Sequence, residues 1–441
     1  MLNQAPAPFG ICGVSLRSPA ARDRLAPQDG LYSVATRSAA GERLRVIGCL
    51  RELLVGPEDP AAVVRRIADP AVSLVTLTVT EKGYCQDPAS GALLAQHPDV
   101  RHDLAHPEAP RSVPGVLVAG LAQRRAAGVA PPTVLSCDNL PANGATLQGV
   151  VLAFAALRDE GLARWIEREV AFPCTMVDRI VPATTAADVA GVARRLGVED
   201  AAPVVAEPFG QWVIEDRFCG PRPAWERAGA ELVASAAPYE EMKLRLLNGS
   251  HSALAYLGGL AGCEHVADVM ALPDLVAFMR RMMAEEVAPT LAVPTDLAAY
   301  QASLLERFAN PAIRHRTAQI ASDGSQKLPQ RLLGTVRDQL AAGGRVRHLT
   351  LAVAAWMRYA AGRDGAGRRV AVVDPLAGRF ATISARAGDD AAALAEGLLG
   401  LRAVFADDLP ADPRFVGPVT DWLRRLTEDG ARAAVAACIA G

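Results

Sequence analysis

A glutamate, a lysine, an asparagine and a histidine interrupt the run from Pro238 to Leu257, whose other residues largely suit a core helix. At 100° per residue with Glu240 as zero, Lys243 lies near about −60°, His251 near about +20° and Asn248 near about +80°, an arc of roughly 140°. Leu244 and Leu247 fall within that arc, so the polar groups are expected among apolar side chains. Burial of this kind disfavours an ammonium ion, which lets a lysine exchange a proton near neutral pH. Alone, His251 would read as a satisfied core histidine and Lys243 as a side chain reaching for solvent. Their joint placement with Asn248 makes the run a catalytic environment.

Such a helix needs a frame. Residues 9–16 and 72–80 are short β-branched apolar runs, with similar runs at 133–137, 174–180 and 211–215 and helix-like patterns at 145–169 and 186–196. Strands alternating with helices predict a mainly parallel sheet covered on both faces. Beyond about residue 236 long Ala/Leu/Arg-rich segments take over, at 239–260, 268–287, 295–308, 329–342 and 346–361, and strand signals become scarce. The expected organisation is an α/β domain over 1–235 and a mostly α-helical domain over 236–441.

Bulk properties narrow the partners. The chain has 441 residues, 51% apolar and 21% charged, enough for two or three domains of a compact soluble protein. Its 46 basic and 48 acidic residues give a net charge of −2, which supplies no broad field for nucleic acid or a membrane surface. A small-molecule partner is favoured. Eight dispersed cysteines with no Cys-x-x-Cys suggest reduced thiols, neither a zinc site nor a disulfide framework. Residues 1–8 carry no basic region followed by an apolar segment, and no apolar stretch is long enough to span a bilayer, so a cytoplasmic protein is expected.

Ligands of open α/β sheets bind where the strands end. Polar clusters recur there: Thr80-Glu81-Lys82-Gly83-Tyr84, then Ser136 to Gly144, then Val177-Asp178-Arg179. Any one could be a turn. For Asp138 a turn or capping role and a site role weigh about equally. His97, His102 and His106 resemble a metal cluster, but Pro98 and Pro107 should break any helix that would align them, which leaves a polar surface loop. Arg363, Arg368 and Arg369 read as a solvated basic cluster.

Ser-Cys-Asp-Asn-Leu-Pro-Ala-Asn-Gly at 136–144, Phe-Pro-Cys-Thr-Met-Val-Asp-Arg-Ile at 172–180, Trp-Val-Ile-Glu-Asp at 212–216 and Lys-Leu-Arg-Leu-Leu-Asn-Gly-Ser-His-Ser-Ala-Leu-Ala-Tyr-Leu-Gly at 243–258 together resemble the polyol-specific long-chain dehydrogenases. That family includes mannitol 2-dehydrogenase and fructuronate (mannonate) reductase. Asp323-Gly324-Ser325-Gln326-Lys327 and Asp374-Pro375 extend the likeness through nearly the whole chain. The resemblance implies a Rossmann-like first domain and metal-independent, NAD-linked interconversion of a secondary alcohol and a ketone on a polyol, ketose or uronate. Fructuronate to mannonate is slightly preferred over fructose to mannitol. It implies Lys243 as general acid/base, Asn139 and Asn248 as holders of the reacting oxygen, His251 as a ligand of a substrate hydroxyl, Glu240 as a carboxylate near the lysine and Lys327 as a further substrate contact. Val177 and Asp178 match positions near the nicotinamide and the substrate, and Thr80 and Glu81 the cofactor-side strand end. Two amides donating to the oxygen would stabilise its alkoxide-like charge, which makes a metal unnecessary. Family precedent points to a monomer.

The chain departs from the family at its start, where a strand, a Gly-x-Gly-x-x loop and a helix would receive the pyrophosphate. Gly10 and Gly13 lie instead in a run matching the family's second strand, so the α/β domain is expected to be N-terminally incomplete, lacking its first βα unit. A late-assigned start codon is the favoured explanation. An exposed sheet edge should make the 441-residue form poorly soluble or poorly active. Leu16-Arg17-Ser18 ends the first strand with a cation in place of an acid, so NADP as well as NAD stays open. The rival readings are a sugar-binding relative that has lost its cofactor, which intact Lys243, Asn139 and Asn248 oppose, and a metal-dependent dehydrogenase. A uronate carboxylate would call for a cation, for which Arg245, Arg331 and Arg358 are the candidates.

Overall fold

The computed structural model describes residues 9–87, 90–363, 368 and 370–441. Residues 1–8 and Arg369, both read above, lie outside them. The chain forms two compact units, residues 1–240 and 241–441.

Among the described residues of the first unit lie ten strands: β1 (Ile11–Ser15), β2 (Tyr32–Ser38), β3 (Gly41–Ile47), β4 (Leu50–Val55), β5 (Leu74–Leu77), β6 (Thr133–Ser136), β7 (Thr175–Asp178), β8 (Val204–Ala206), β9 (Gln211–Glu215) and β10 (Glu231–Val233). Pairing is mainly parallel: β1 with β4, β5 with β6, β2 with β8 and β9 with β10. The hairpin β2–β3 and the pair β7–β9 are antiparallel. Strand β6 is buried along its whole length, as a covered parallel strand must be. Leu117, Leu121, Leu147, Val151, Phe154 and Phe172 surround it in one apolar core.

Local chemistry sets the helix ends. The helix-like stretch 145–169 is two helices, Asn143–Arg158 and Glu160–Glu169, because Asp159 turns extended and caps the second one through the Gly161 and Leu162 N–H groups. The helix Ala186–Leu196 opens on a Thr185/Asp188 capping box and closes at Gly197 with φ +74°. The expected loop around the three histidines is instead a helix, Pro98–Ala105. Pro98 occupies its first position, where the missing N–H costs nothing, and the His97 ring nitrogen accepts the Asp99 N–H at 3.2 Å. Proline here starts a helix rather than breaking one.

Among its described residues the second unit is built of helices and connecting loops, with no strand; His265 and Arg316 form an isolated bridge. Its core gathers on the helix Arg347–Ala360, where Trp356 meets Phe380 and Phe405 edge-on at 5.6 and 5.8 Å. Three of its segments, Lys243–Asn248, Met282–Val287 and Pro329–Leu333, are wound as π-helix, and the first packs against the other two. Arg363 and Arg368 are exposed. All eight cysteines are free thiols. Among the described residues no helix is long and apolar enough to cross a membrane.

Candidate active site

In the first unit the strand ends are tied together by side chains. Parallel pairing sets Leu77 beside Ser136, so the loops after β5 and β6 leave the sheet side by side. The Asp138 carboxylate accepts the Val79 and Thr80 N–H groups at 3.0 and 2.9 Å and the Tyr84 hydroxyl at 2.7 Å. Tyr84 also meets Ser136 Oγ at 2.6 Å. This clamp holds Thr80 at φ +65° and ψ +165°, a region nearly confined to glycine and costing about 1–3 kcal/mol elsewhere. Asp138 is therefore a positioning residue for Thr80 and Glu81, beyond a simple turn.

A second clamp joins this loop to β7. Asn143 donates through Nδ2 to the carbonyls of Asp138 and Thr175 at 3.1 and 2.9 Å, and its Oδ1 accepts the Thr175 N–H at 2.9 Å. A side chain on Gly144 would strike the Phe172 and Pro173 backbone at 2.6 Å, so the Asn-Gly pair is a close-approach device. The half-site thus brings Thr80, Glu81, Asn139, Val177 and Asp178 onto joined segments, with Asp178 buried at the end of β7. Glu240, expected beside the lysine, accepts the Ala142 N–H at 3.2 and 3.1 Å and so braces the same loop. Asn143 was legible only as part of a motif; its signal was a second asparagine four residues after Asn139 and a threonine inside an apolar strand.

In the second unit the helical wheel needed correction. Lys243–Asn248 is a π-turn in which the Gly249 N–H reaches the Leu244 carbonyl, five residues back. An i→i+5 turn stacks residue 248 over residue 243 more nearly than the about 140° separation an α-helix would give. Lys243 and Asn248 are half-buried, between the fully buried Met242, Leu246 and Leu247. Gly249 permits this winding to be covered: a Cβ there would stand 2.7 Å from the Arg331 carbonyl. Pro329, which has no N–H for the ladder, opens the facing π-turn.

His251 is buried, its ring 4.6 Å from Phe308 and 5.3 Å, edge-on, from His315. Burial holds its imidazole well below the ordinary range, helped by His315, Arg331 and Arg307, so it is neutral with one donor and one acceptor nitrogen. That suits a hydroxyl ligand. Burial likewise lowers His315, helped by Lys327. Lys327 donates to the Ser322 and Ile320 carbonyls at 2.6 and 3.4 Å, which leaves a third ammonium N–H for a ligand. Burial, then the Arg331 charge, lowers its pKa, while Asp323 and Asp374 oppose the shift.

The two distant motifs Asp323–Lys327 and Asp374-Pro375 meet here. Asp374 accepts the Ser325 N–H at 2.8 Å and its hydroxyl at 2.7 Å, which fixes the helix that carries Lys327.

Acid should destabilise this unit. Burial holds the folded pKa of His251 and His315 below the ordinary 6.5, so below that pH the unfolded chain binds more protons and stability falls as pH drops, with about 1.4 kcal/mol per pH unit as the upper limit for each. Urea midpoints measured between about pH 5 and 7.5 check the sign. His251→Gln should make this slope shallower, and an unchanged slope would assign it to other groups.

Residues 4–227 match the mannitol dehydrogenase Rossmann domain, and residues 235–427 match the mannitol dehydrogenase C-terminal domain. The chain is 48% identical to D-mannonate oxidoreductase of Escherichia coli K12, over 99% of this chain and 91% of that protein. Among solved structures it is similar to Pseudomonas fluorescens mannitol 2-dehydrogenase in ternary complex with NAD and D-mannitol (41% identity, TM-score 0.82, 97% of this chain and 87% of that one). It is also similar to a substrate-free D-sorbitol dehydrogenase (33% identity, TM-score 0.90, 97% and 89%). A Rossmann unit with clamped strand ends, a helical unit with a Lys/Asn/His π-turn and similarity along nearly the whole length lead to one conclusion: this chain belongs to the mannitol dehydrogenase family of oxidoreductases.

Proposed function

We propose that this chain is an NAD-dependent oxidoreductase that interconverts a secondary alcohol and a ketone on an open-chain sugar derivative, with fructuronate and mannonate favoured over fructose and mannitol. The observation that carries the reading is the π-turn, which brings Asn248 closer in angle to Lys243 than an α-helix would and leads into the turn of a neutral, buried His251. The 48% identity to D-mannonate oxidoreductase, against 41% to mannitol 2-dehydrogenase, supports the preference for the sugar acid.

Residues 1–235 serve the cofactor and 236–441 the substrate. The first unit fits a dinucleotide: two parallel strands end side by side, and Asp138 shapes the loop between Thr80 and Tyr84. Thr80, Glu81, Asn139, Val177 and Asp178 would hold the nicotinamide end, and exposed Arg17, just beyond β1, would lie toward the adenosine. When bound, NAD supplies the hydride acceptor. In oxidation Lys243 Nζ takes the hydroxyl proton, and in reduction it returns one. The side-chain amides of Asn139 and Asn248 donate to the oxygen as negative charge builds on it. His251 and one N–H of Lys327 bind neighbouring substrate hydroxyls. The chain is proposed to act as a cytoplasmic monomer, in line with family precedent.

Fluorescence titration with NADH and NADPH, followed by absorbance assays with fructuronate and fructose, tests this. The expected result is saturable NADH binding, weaker NADPH binding and faster NADH consumption with fructuronate. A folded sample that oxidised NADH with neither ketone would reject the reading.

A further inference from the structure

Three arginines of the second unit could meet a substrate carboxylate, and their surroundings separate them. Arg245 is committed: its Nη2 lies 2.6 Å from both Glu241 and Asp338, and its Nη1 donates to the Thr290 hydroxyl at 2.8 Å. Arg358 has a partner of its own and sits on the core helix Arg347–Ala360. Arg331 differs from both. It is half-buried in the π-turn Pro329–Leu333 and has no carboxylate partner among the described residues. Its protein hydrogen bonds are two long ones from Nη1, to the Asn248 carbonyl at 3.4 Å and the Ser252 hydroxyl at 3.3 Å. Nε and Nη2 have no protein acceptor among the described residues and are not sealed from solvent.

We propose that Arg331 is the specificity-determining residue of this site, receiving the terminal carboxylate of a sugar-acid substrate through Nε and Nη2. The inference rests on the oxidoreductase reading above and adds the chemical class of substrate that the site selects.

The guanidinium is placed for the task. Its bonds to Asn248 and Ser252 span the helical turn that carries His251, so it lies against the residues assigned to the substrate. Its charge reaches His251, Tyr256 and Lys327. Among the described residues the Tyr256 phenol is the sole ionisable acid that opposes the effect of burial on it. A guanidinium withdrawn from water without a counter-charge is costly, and a ligand carboxylate would both neutralise it and fill its planar fork. A neutral polyol offers hydroxyls there and leaves the charge uncompensated.

The backbone around Arg331 is as constrained as its side chain. Its carbonyl is the atom that a Cβ at Gly249 would meet at 2.7 Å, so the Asn248-Gly249 backbone lies directly on it. The turn that aligns Asn248 with Lys243 and the turn that carries Arg331 therefore pack as one block, which fixes the carboxylate subsite relative to the residues assigned to proton transfer.

Arg331→Gln and Arg331→Lys, compared with the parent in kcat/KM for fructuronate and for fructose with NADH, test the proposal. Arg331→Gln should lower the fructuronate-to-fructose ratio by about 100-fold, the size expected when a charge-assisted bidentate pair is lost. Arg331→Lys, which keeps the charge without the fork, should lower it by about 10-fold. If Arg331→Gln does not fold, the lysine variant alone decides. An equal loss for both substrates, or an unchanged ratio, would overturn the proposal. A parent enzyme that reduces fructose as well as fructuronate would overturn it too, while leaving the oxidoreductase reading intact. A parent that reduces neither would instead reject that broader reading.

Discussion

Lys243→Ala should lower kcat by about 1,000-fold, within the range that positioned general acid/base groups contribute, while NADH affinity changes less than about twofold. The split follows from where the residue sits. Lys243 belongs to the helical unit, on a π-turn that brings Asn248 closer to its face, and the residues assigned to the cofactor belong to the α/β unit. Lys243→Arg gives a sharper test, because a guanidinium keeps the positive charge and does not release its proton near neutral pH. If Lys243 moves a proton, arginine should be as inactive as alanine. If it served as a fixed charge alone, arginine would retain much of the rate. Steady-state assays beside a fluorescence titration with NADH decide it, and a parallel loss of binding and turnover would mark Lys243 as structural.

Gly324→Ala should destabilise the helical unit by about 3 kcal/mol, the upper part of the usual range for overpacking. The added Cβ would lie 2.4 Å from Trp356 Nε1 and 2.6 Å from the Tyr256 hydroxyl. Neither neighbour is a flexible tip. Both rings are 1% exposed, and Trp356 is wedged against Phe380 and Phe405. For a unit of this size the expected fall in Tm is about 6–12 °C, measured by calorimetry. Because Gly324 opens the helix that carries Lys327, KM for the sugar substrate should rise in the same variant. A Tm within about 2 °C of the parent would show that the helix shifts easily and that the contact is soft.

Much of the candidate site was legible from residue types. Strand ends at Thr80, Asn139 and Asp178 could be placed because apolar β-branched runs stop where polar clusters begin, and both features are local. Helices whose ends depend on side-chain competition were less legible. Asp159 divides a stretch with continuous helical patterning, because its carboxylate satisfies two N–H groups of the next helix. Pro98, expected to break a helix, begins one, since a first-turn position needs no N–H from it. Of the histidines nearby, His102 lies in the helix, and His97 and His106 flank its ends.

The sequence by itself determined the α/β and helical character of the two halves, the family likeness and the identity of the polar groups on the Lys243 helix. These rest on periodicity and on residue chemistry, which neighbours along the chain already express. Tertiary structure decided which of those groups can act together. The π-turn at Lys243–Asn248 depends on a backbone pressed against Arg331, and Gly249 leaves the room for it. The clamp from Asp138 to Thr80 spans 58 residues, and the one from Asp374 to Ser325 spans 49. Arg331 could be told from Arg245 solely by the carboxylates that the fold brought to the latter. Long-range packing sets those distances, and no local pattern records them.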